Sequence, residues 1–519
     1  MRVILFLLCM LAGISPVFAA APVVHIGQGA LAGERVDGIS IFRGIPFAGD
    51  TGGDNRWRPP TPAPHWRGVR DATAAGPICP QSRQPRQGKV APWLELFEIG
   101  EDCLNLNIYS PGLAADAKAP VMVWIHGGFA RISTGSRHDA SEMAARGVVV
   151  VTLNYRLDRL GLFAHPALSA EQPGALLGNY ALMDVQAGLR WVQDNIGAFG
   201  GDPDNVTIFG QSSGGVAVTA LMGSPLSEGL FRRAISQSGV MADLDNPRQL
   251  SRDLPRAPSL ESDGVAMAKA LLPGIEQPTA AQLRALPWQA IIDYTDAQPP
   301  GAMVPVIDGR LLPEAVTRRF VAGRQLPVPL MIGTTSWEQS LFVHHRLPLR
   351  PILGPVPEQE ARAIYSGMDD KALVEHWLAD TGFHAAARLL ADASADSGQP
   401  TWVYRFDHLT PAAREAGQPG AAHHDDVAFL LRPLALPRWP ADAPVERAMQ
   451  AVMLDYWTQF ARSGDPNGAG QPDWPRWQSG GNGVTQLLDI PVRGEADAMG
   501  RRMRYHLGRY AGVLRQPVP

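Results

Sequence analysis

Ser212 stands between glycines at two-residue spacing in Gly210-Gln211-Ser212-Ser213-Gly214. Glycines so placed let the backbone turn sharply from strand to helix and lift the central hydroxyl clear of the chain. A serine hydroxyl is a weak nucleophile until a base takes its proton, and that base needs a third group to orient it. Both follow in the order such sites use: an acid after a later strand, Glu338, then a histidine in the loop after a still later one, His423. The trio suits acyl transfer. Ser212 attacks an acyl carbon, His423 takes its proton and passes it to the leaving group, and Glu338 holds the imidazole in the right tautomer. Water then repeats the cycle on the acyl-enzyme. Without that order, the plain alternatives are a solvent-facing loop histidine and an ordinary surface carboxylate.

The surrounding sequence must position these groups. Val206-Thr207-Ile208-Phe209 is β-branched and aromatic and runs straight into the turn, and the apolar stretch from Val216 to Met222 suits a buried helix. The continuous apolar run Val121 to Ile125 has the pattern of a strand buried on both faces. It empties into His126-Gly127-Gly128-Phe129, where glycines let backbone N–H groups face a ligand. Val148 to Leu153 reads as the next buried strand, and Asn179 to Ile196 as a helix with Leu182, Val185, Leu189 and Val192 on one face. Further strands are expected at Ala234–Gln237, Pro329–Gly333 and Trp402–Phe406, helical stretches at 253–294 and 350–395, and a long helix from Glu446 to Arg462. Gly27 to Phe47 reads as an antiparallel edge. The sum is an α/β chain with a central, mostly parallel sheet, helices on both faces and helical excursions near the site.

Arg2, the apolar run Val3 to Val17 and the small-residue pattern Val17-Phe18-Ala19 predict a cleavable signal peptide, residues 1–19, with Phe18-Ala19-Ala20 as a second choice of cleavage site. The run is short for a membrane span, so no stable membrane anchor is expected, and Cys9 follows Leu7-Leu8, which does not suit a lipoprotein. A secreted or periplasmic protein follows. In that oxidising setting the two remaining cysteines, Cys79 and Cys103, are expected to pair. Neither has His or Cys neighbours at ligand spacing, so no metal site is expected. Residues 20–519 read as one domain, because the chemical groups are spread along their whole length and must meet in space. A net charge of −4 gives no electrostatic reason to bind nucleic acid or an anionic membrane. The oligomeric state is left open.

Several segments resemble the type-B carboxylesterase and cholinesterase family of α/β-hydrolases: EDCLNLNIYSP (101–111), PVMVWIHGG (120–128), LNYRLDRLG (153–161), GNYALMDVQAGLRWVQDNIGAFGGDP (178–203), FGQSSGG, AISQSG and YWTQFARSGDPNG (456–468). The resemblance covers nearly all of the mature length. It implies an α/β-hydrolase fold, carboxylic ester hydrolysis without a cofactor, Ser212 as nucleophile, Glu338 and His423 at the family's acid and base positions, and Cys79–Cys103 as its first disulfide.

The chain also departs from the family's pattern. A third glycine usually follows the histidine of the oxyanion segment; here that place is Phe129, with Ala130 next. The N–H survives any side chain but proline, yet phenylalanine is strained if the local conformation needs a positive φ. Gly128, Phe129 and Ser213 are the expected oxyanion donors. Trp337 and Gln339 flank Glu338 where the family has an acidic and a small residue, and Asp308 is the substitute acid to consider. Gln211 replaces the family's common glutamate before the nucleophile, which removes a negative charge. Trp93 lies where cholinesterases stack choline, and without that carboxylate it is expected to act as a loop anchor. His424 beside His423 leaves one residue of register open. The expected substrate is therefore a small to medium uncharged ester. The rival readings are a catalytically weak binding or adhesion module of the same fold, or a lipase or amidase.

Overall fold

The structure, a computed structural model, describes residues 21–83, 91–239, 248–255, 257–298, 303–434, 443–496 and 500–515. The expected leader at 1–19 lies outside them.

Eleven strands form the central sheet: β1 (Glu34–Val36), β2 (Ile39–Pro46), β3 (Asn105–Ser110), β4 (Ala119–Ile125), β5 (Val149–Leu153), β6 (Gly201–Gln211), β7 (Arg233–Gln237), β8 (Leu330–Thr335), β9 (Thr401–Phe406), β10 (Val484–Leu488) and β11 (Arg493–Ala496). Their order across the sheet is β11-β10-β9-β8-β7-β6-β4-β5-β3-β2-β1. From β5 to β10 every neighbouring pair is parallel, and antiparallel strands close both edges. The mostly parallel sheet expected from the sequence is thus present.

Alternation along β4 shows why both faces are covered. Val121, Val123 and Ile125 join a core with Leu182, Val185, Leu189 and Val192 of helix α1 (Tyr180–Asn195). Met122 and Trp124 point the other way, into a core with Met449, Met453, Tyr456 and Phe460 of a second helix, Pro444–Ser463. Period two in the strand and period 3.6 in the helices therefore fix the three layers.

Strand β3 has no clear hydrophobic signature, because Asn105 and Asn107 interrupt it. Both asparagines are buried and bonded: Asn107 Nδ2 donates to Thr152 Oγ1 at 2.9 Å, and its Oδ1 accepts from the Gly44 N–H at 3.1 Å. Pairing of this kind lets polar side chains lie inside a sheet.

Cys79 and Cys103 are disulfide-bonded across a separation of 24 residues. By loop entropy this closure contributes roughly 3 kcal/mol. Replacing both cysteines by serine is expected to lower the urea midpoint correspondingly, read by tryptophan fluorescence. An unchanged midpoint would show that the loop is held by its other contacts.

Candidate active site

The three expected groups meet at the carboxyl ends of the parallel strands. Ser212 follows β6 directly and precedes helix α2 (Ser213–Met222), with φ 55° and ψ −126°. An L-residue held there is strained by roughly 1–3 kcal/mol, and the strain persists only because the surroundings dictate it. They do so by close approach. A Cβ on Gly214 would lie 2.0 Å from the Ile125 carbonyl oxygen, so only glycine lets α2 start against the end of β4.

His423 Nε2 lies 2.9 Å from Ser212 Oγ, and its Nδ1 lies 2.5 Å from Glu338 Oε2. Glu338 opens a short turn after β8 and is fully buried. Its other oxygen, Oε1, accepts from Ser238 Oγ at 2.6 Å and from the Thr335 N–H at 2.8 Å. Burial pushes this carboxyl upward most strongly, but the His423 charge and hydrogen bond and the Ser238 donor outweigh it, so Glu338 is held below its ordinary range and stays ionised.

The loop carrying the base is tied down twice: the His423 N–H donates to Ser340 Oγ at 2.9 Å, and its carbonyl accepts from Gln211 Nε2 at 2.8 Å. Gln211, expected to act by removing a charge, thus also joins the nucleophile turn to the base loop. A π-helical turn at Asp380–His384 sets the Phe383 ring edge-on to the His423 imidazole, with centroids 4.9 Å apart.

Across from the serine, the segment after β4 lies on the elbow. Ala130 N–H donates to Ser213 Oγ at 2.9 Å, and Gly128, Phe129 and Ala130 all have positive φ, at 113°, 61° and 54°. Phe129 therefore does sit in the left-handed region its sequence position raised. The N–H groups of Gly128, Phe129 and Ser213 donate to no acceptor among the described residues. His126, which opens the segment, is buried against Tyr155 and lowered by that burial to about 4, so it stays neutral and does not compete as a base.

The remaining sequence candidates sort themselves by contact. Asp308 accepts from Asn179 Nδ2 at 2.8 Å and from the N–H groups of Arg310 and Leu312, so it caps a turn away from the histidine. Trp93 is buried among Ile78, Leu94 and Ile132, as a loop anchor should be. His424 is not the imidazole between Ser212 and Glu338; His423 is.

Ser238, Ser340 and Phe383 were not recognisable from the sequence. Ser238 lies inside the quoted AISQSG segment, which is the one signal that could have marked it. Asp426, three residues beyond the base, was missed as well. It is fully buried, Oδ2 accepts from Gln237 Nε2 at 2.8 Å and Tyr404 Oη at 3.3 Å, and burial raises it from 3.8 to about 7. A carboxyl raised in the folded state binds a proton that the unfolded chain releases, so stability falls as pH climbs from about 4 to about 7. Asp426→Asn is expected to remove that slope: its thermal midpoint should match wild type near pH 4 and exceed it by several degrees at pH 8. Parallel midpoints across the range would contradict this.

A parallel sheet whose central strand ends in a serine elbow, with acid and histidine after later strands, defines an α/β-hydrolase. The sequence profile of the carboxylesterase family matches residues 20–365 and 360–506. Fumonisin B1 esterase of Sphingopyxis macrogoltabida is 34% identical over 482 residues, spanning 89% of this chain and 85% of that protein. Carboxylesterase 1C of Rattus norvegicus is 33% identical over 502 residues, covering 88% of each. Among solved structures, a carboxylesterase of Geobacillus stearothermophilus superposes with a TM-score of 0.77 at 32% identity, covering 93% of this chain and 99% of that one. The chain belongs to the carboxylesterase family, and it is a carboxylic ester hydrolase.

Proposed function

We propose that the enzyme works through a covalent acyl-enzyme on Ser212. His423 takes the hydroxyl proton as Ser212 attacks the ester carbonyl, then delivers it to the departing alcohol; a water molecule repeats both steps and frees the acid. Glu338 fixes the imidazole tautomer and stabilises the imidazolium that forms. The N–H groups of Gly128, Phe129 and Ser213 hold the oxyanion, a role in which each donor contributes about 100-fold or more to the rate. Supporting this reading is the hydrogen-bonded line from Ser212 Oγ through His423 to Glu338, anchored at its far end by Ser238 and Thr335. The reaction calls for no cofactor.

The substrates are small to medium esters without a cationic group, since Gln211 puts no carboxylate beside the nucleophile to attract one. Residues 20–519 act as one domain after removal of a leader at 1–19, in the periplasm or outside the cell, where the Cys79–Cys103 bond persists. No helix among the described residues is long and apolar enough to cross a membrane. The test is a p-nitrophenyl ester series from acetate to palmitate, run with the matching anilides. Turnover is expected to peak at short to medium chains with anilides far slower. A maximum at palmitate would indicate a lipase, and equal anilide rates an amidase.

A further inference from the structure

Ser213 brings two groups to the site. Its N–H, like those of Gly128 and Phe129, donates to no acceptor among the described residues, whereas its hydroxyl accepts from the Ala130 N–H at 2.9 Å. That bond ties the oxyanion segment to the residue after the nucleophile. The segment's other polar contacts go elsewhere: the His126 carbonyl accepts from Tyr155 Oη at 2.6 Å, the Gly128 carbonyl from the Arg131 and Ile132 N–H groups, and the Ala130 carbonyl from the Asp158 N–H at 2.7 Å.

The Ala130 N–H and the Phe129 carbonyl belong to one planar peptide unit. The carbonyl accepts from the Met303 N–H at 3.0 Å and the N–H donates to Ser213, so the unit is clamped at both ends. Strain works against the clamp. Ala130 is held at φ 54°, in the left-handed region where a side chain crowds the backbone. Turning the unit over shifts Phe129 ψ and Ala130 φ together by about 180°, which carries Ala130 to the relaxed, extended side of the map. It also puts the Phe129 carbonyl oxygen where the Ala130 N–H now points, toward Ser213. An oxygen there would take up the Ser213 N–H and repel the negative charge that this N–H is to hold.

We propose that the Ser213 hydroxyl is a positioning group: by accepting from Ala130 it keeps the Phe129–Ala130 peptide from turning over and so holds the oxyanion hole open. The inference rests on acyl transfer at Ser212 and gives the side chain of the next residue a part in it. The Ser213 N–H touches the oxyanion; the hydroxyl acts through the opposite wall of the hole.

The test is Ser213→Ala in the full-length protein, which keeps the N–H and removes only the acceptor. With rates taken per fluorophosphonate-reactive site, kcat on p-nitrophenyl butyrate is expected to fall about tenfold to a hundredfold while KM moves little. A trifluoromethyl ketone, which adds to a serine and forms an oxyanion, should lose affinity by the same factor; the plain methyl ketone of equal length should lose none. The histidine limb of the pH profile should not move, because the base is untouched. Adding Ala130→Gly to Ser213→Ala should recover part of the loss, since glycine takes a positive φ without strain. A merely loosened site would weaken both ketones alike and gain nothing from a further glycine. The pair Ser213→Thr and Ser213→Val repeats the comparison at nearly constant volume: threonine keeps the acceptor oxygen and should exceed valine in kcat by a similar factor, which decides the matter if Ser213→Ala does not fold. Unchanged kcat in Ser213→Ala, a loss carried by KM, equal weakening of the two ketones, no recovery with Ala130→Gly, or equal rates for the threonine and valine variants overturns the proposal. A wild type that binds the trifluoromethyl ketone no better than the plain one instead removes the acyl-enzyme reading beneath it.

Discussion

Ser212→Ala is expected to lower kcat on p-nitrophenyl butyrate by about ten thousand-fold to a million-fold, with little change in thermal stability. Among the described residues the one hydrogen bond of the hydroxyl is with His423 Nε2, and a single partly buried hydrogen bond is worth about 1 kcal/mol. The methyl group fits the same elbow, since serine and alanine are equally strained at φ 55°. What is lost is the attacking atom, and with it the covalent route. His423→Ala should fall as far, and the double variant no further, because nucleophile and base act as one unit. If the two single losses multiplied in the double variant, serine and histidine would be working independently and the relay would be wrong. Activity within tenfold of wild type in Ser212→Ala would remove Ser212 from the chemistry altogether.

Glu338→Gln is expected to cost about a thousand-fold to ten thousand-fold in kcat while KM changes little. The reason lies in the two donors behind the carboxylate. Ser238 Oγ–H and the Thr335 N–H both point at Oε1, so a glutamine at this position must keep its carbonyl oxygen there. Its NH2 then faces His423 Nδ1, which becomes an acceptor. The ring proton moves to Nε2, and the nitrogen beside Ser212 can no longer take the serine proton. The variant is thus locked in the unproductive tautomer with its geometry intact, a substitution that costs about ten thousand-fold in serine proteases of the same chemistry. Adding Ser238→Ala to Glu338→Gln removes one of the two donors that enforce this orientation, and should recover part of the loss. No recovery, together with a raised KM, would mean that Glu338 acts on substrate binding instead.

Local composition carries only part of this fold and site. The nucleophile turn, the buried strands β4 and β5 and helix α1 are written in local composition: a glycine frame, unbroken apolar runs and a 3.6-residue stripe. Glu338 and His423 were reachable only through chain order and resemblance, because nothing local distinguishes a catalytic histidine from its neighbour His424. Asn105–Ser110 escaped notice as a strand because its buried asparagines are satisfied by residues the local sequence does not show, Asn107 by Gly44 and Thr152 and Asn105 by the Pro77 carbonyl. The same holds for Ser238, whose value is its 2.6 Å contact with a residue one hundred positions later. Phe383 depends on a π-helical turn that sequence periodicity does not announce. Phe129 ran the other way: standing where the resembling family has a glycine, it marked a position that is strained if φ is positive, and its φ is 61°.

The central claim is a covalent acyl-enzyme on Ser212, and the most direct measurement is mass spectrometry of the protein after reaction with an alkyl fluorophosphonate, which phosphonylates an activated serine. One adduct per chain is expected, mapped to the peptide containing Ser212, formed in parallel with loss of esterase activity and absent from Ser212→Ala and His423→Ala. Full activity with no adduct, or inactivation with the label on any other residue, would contradict it.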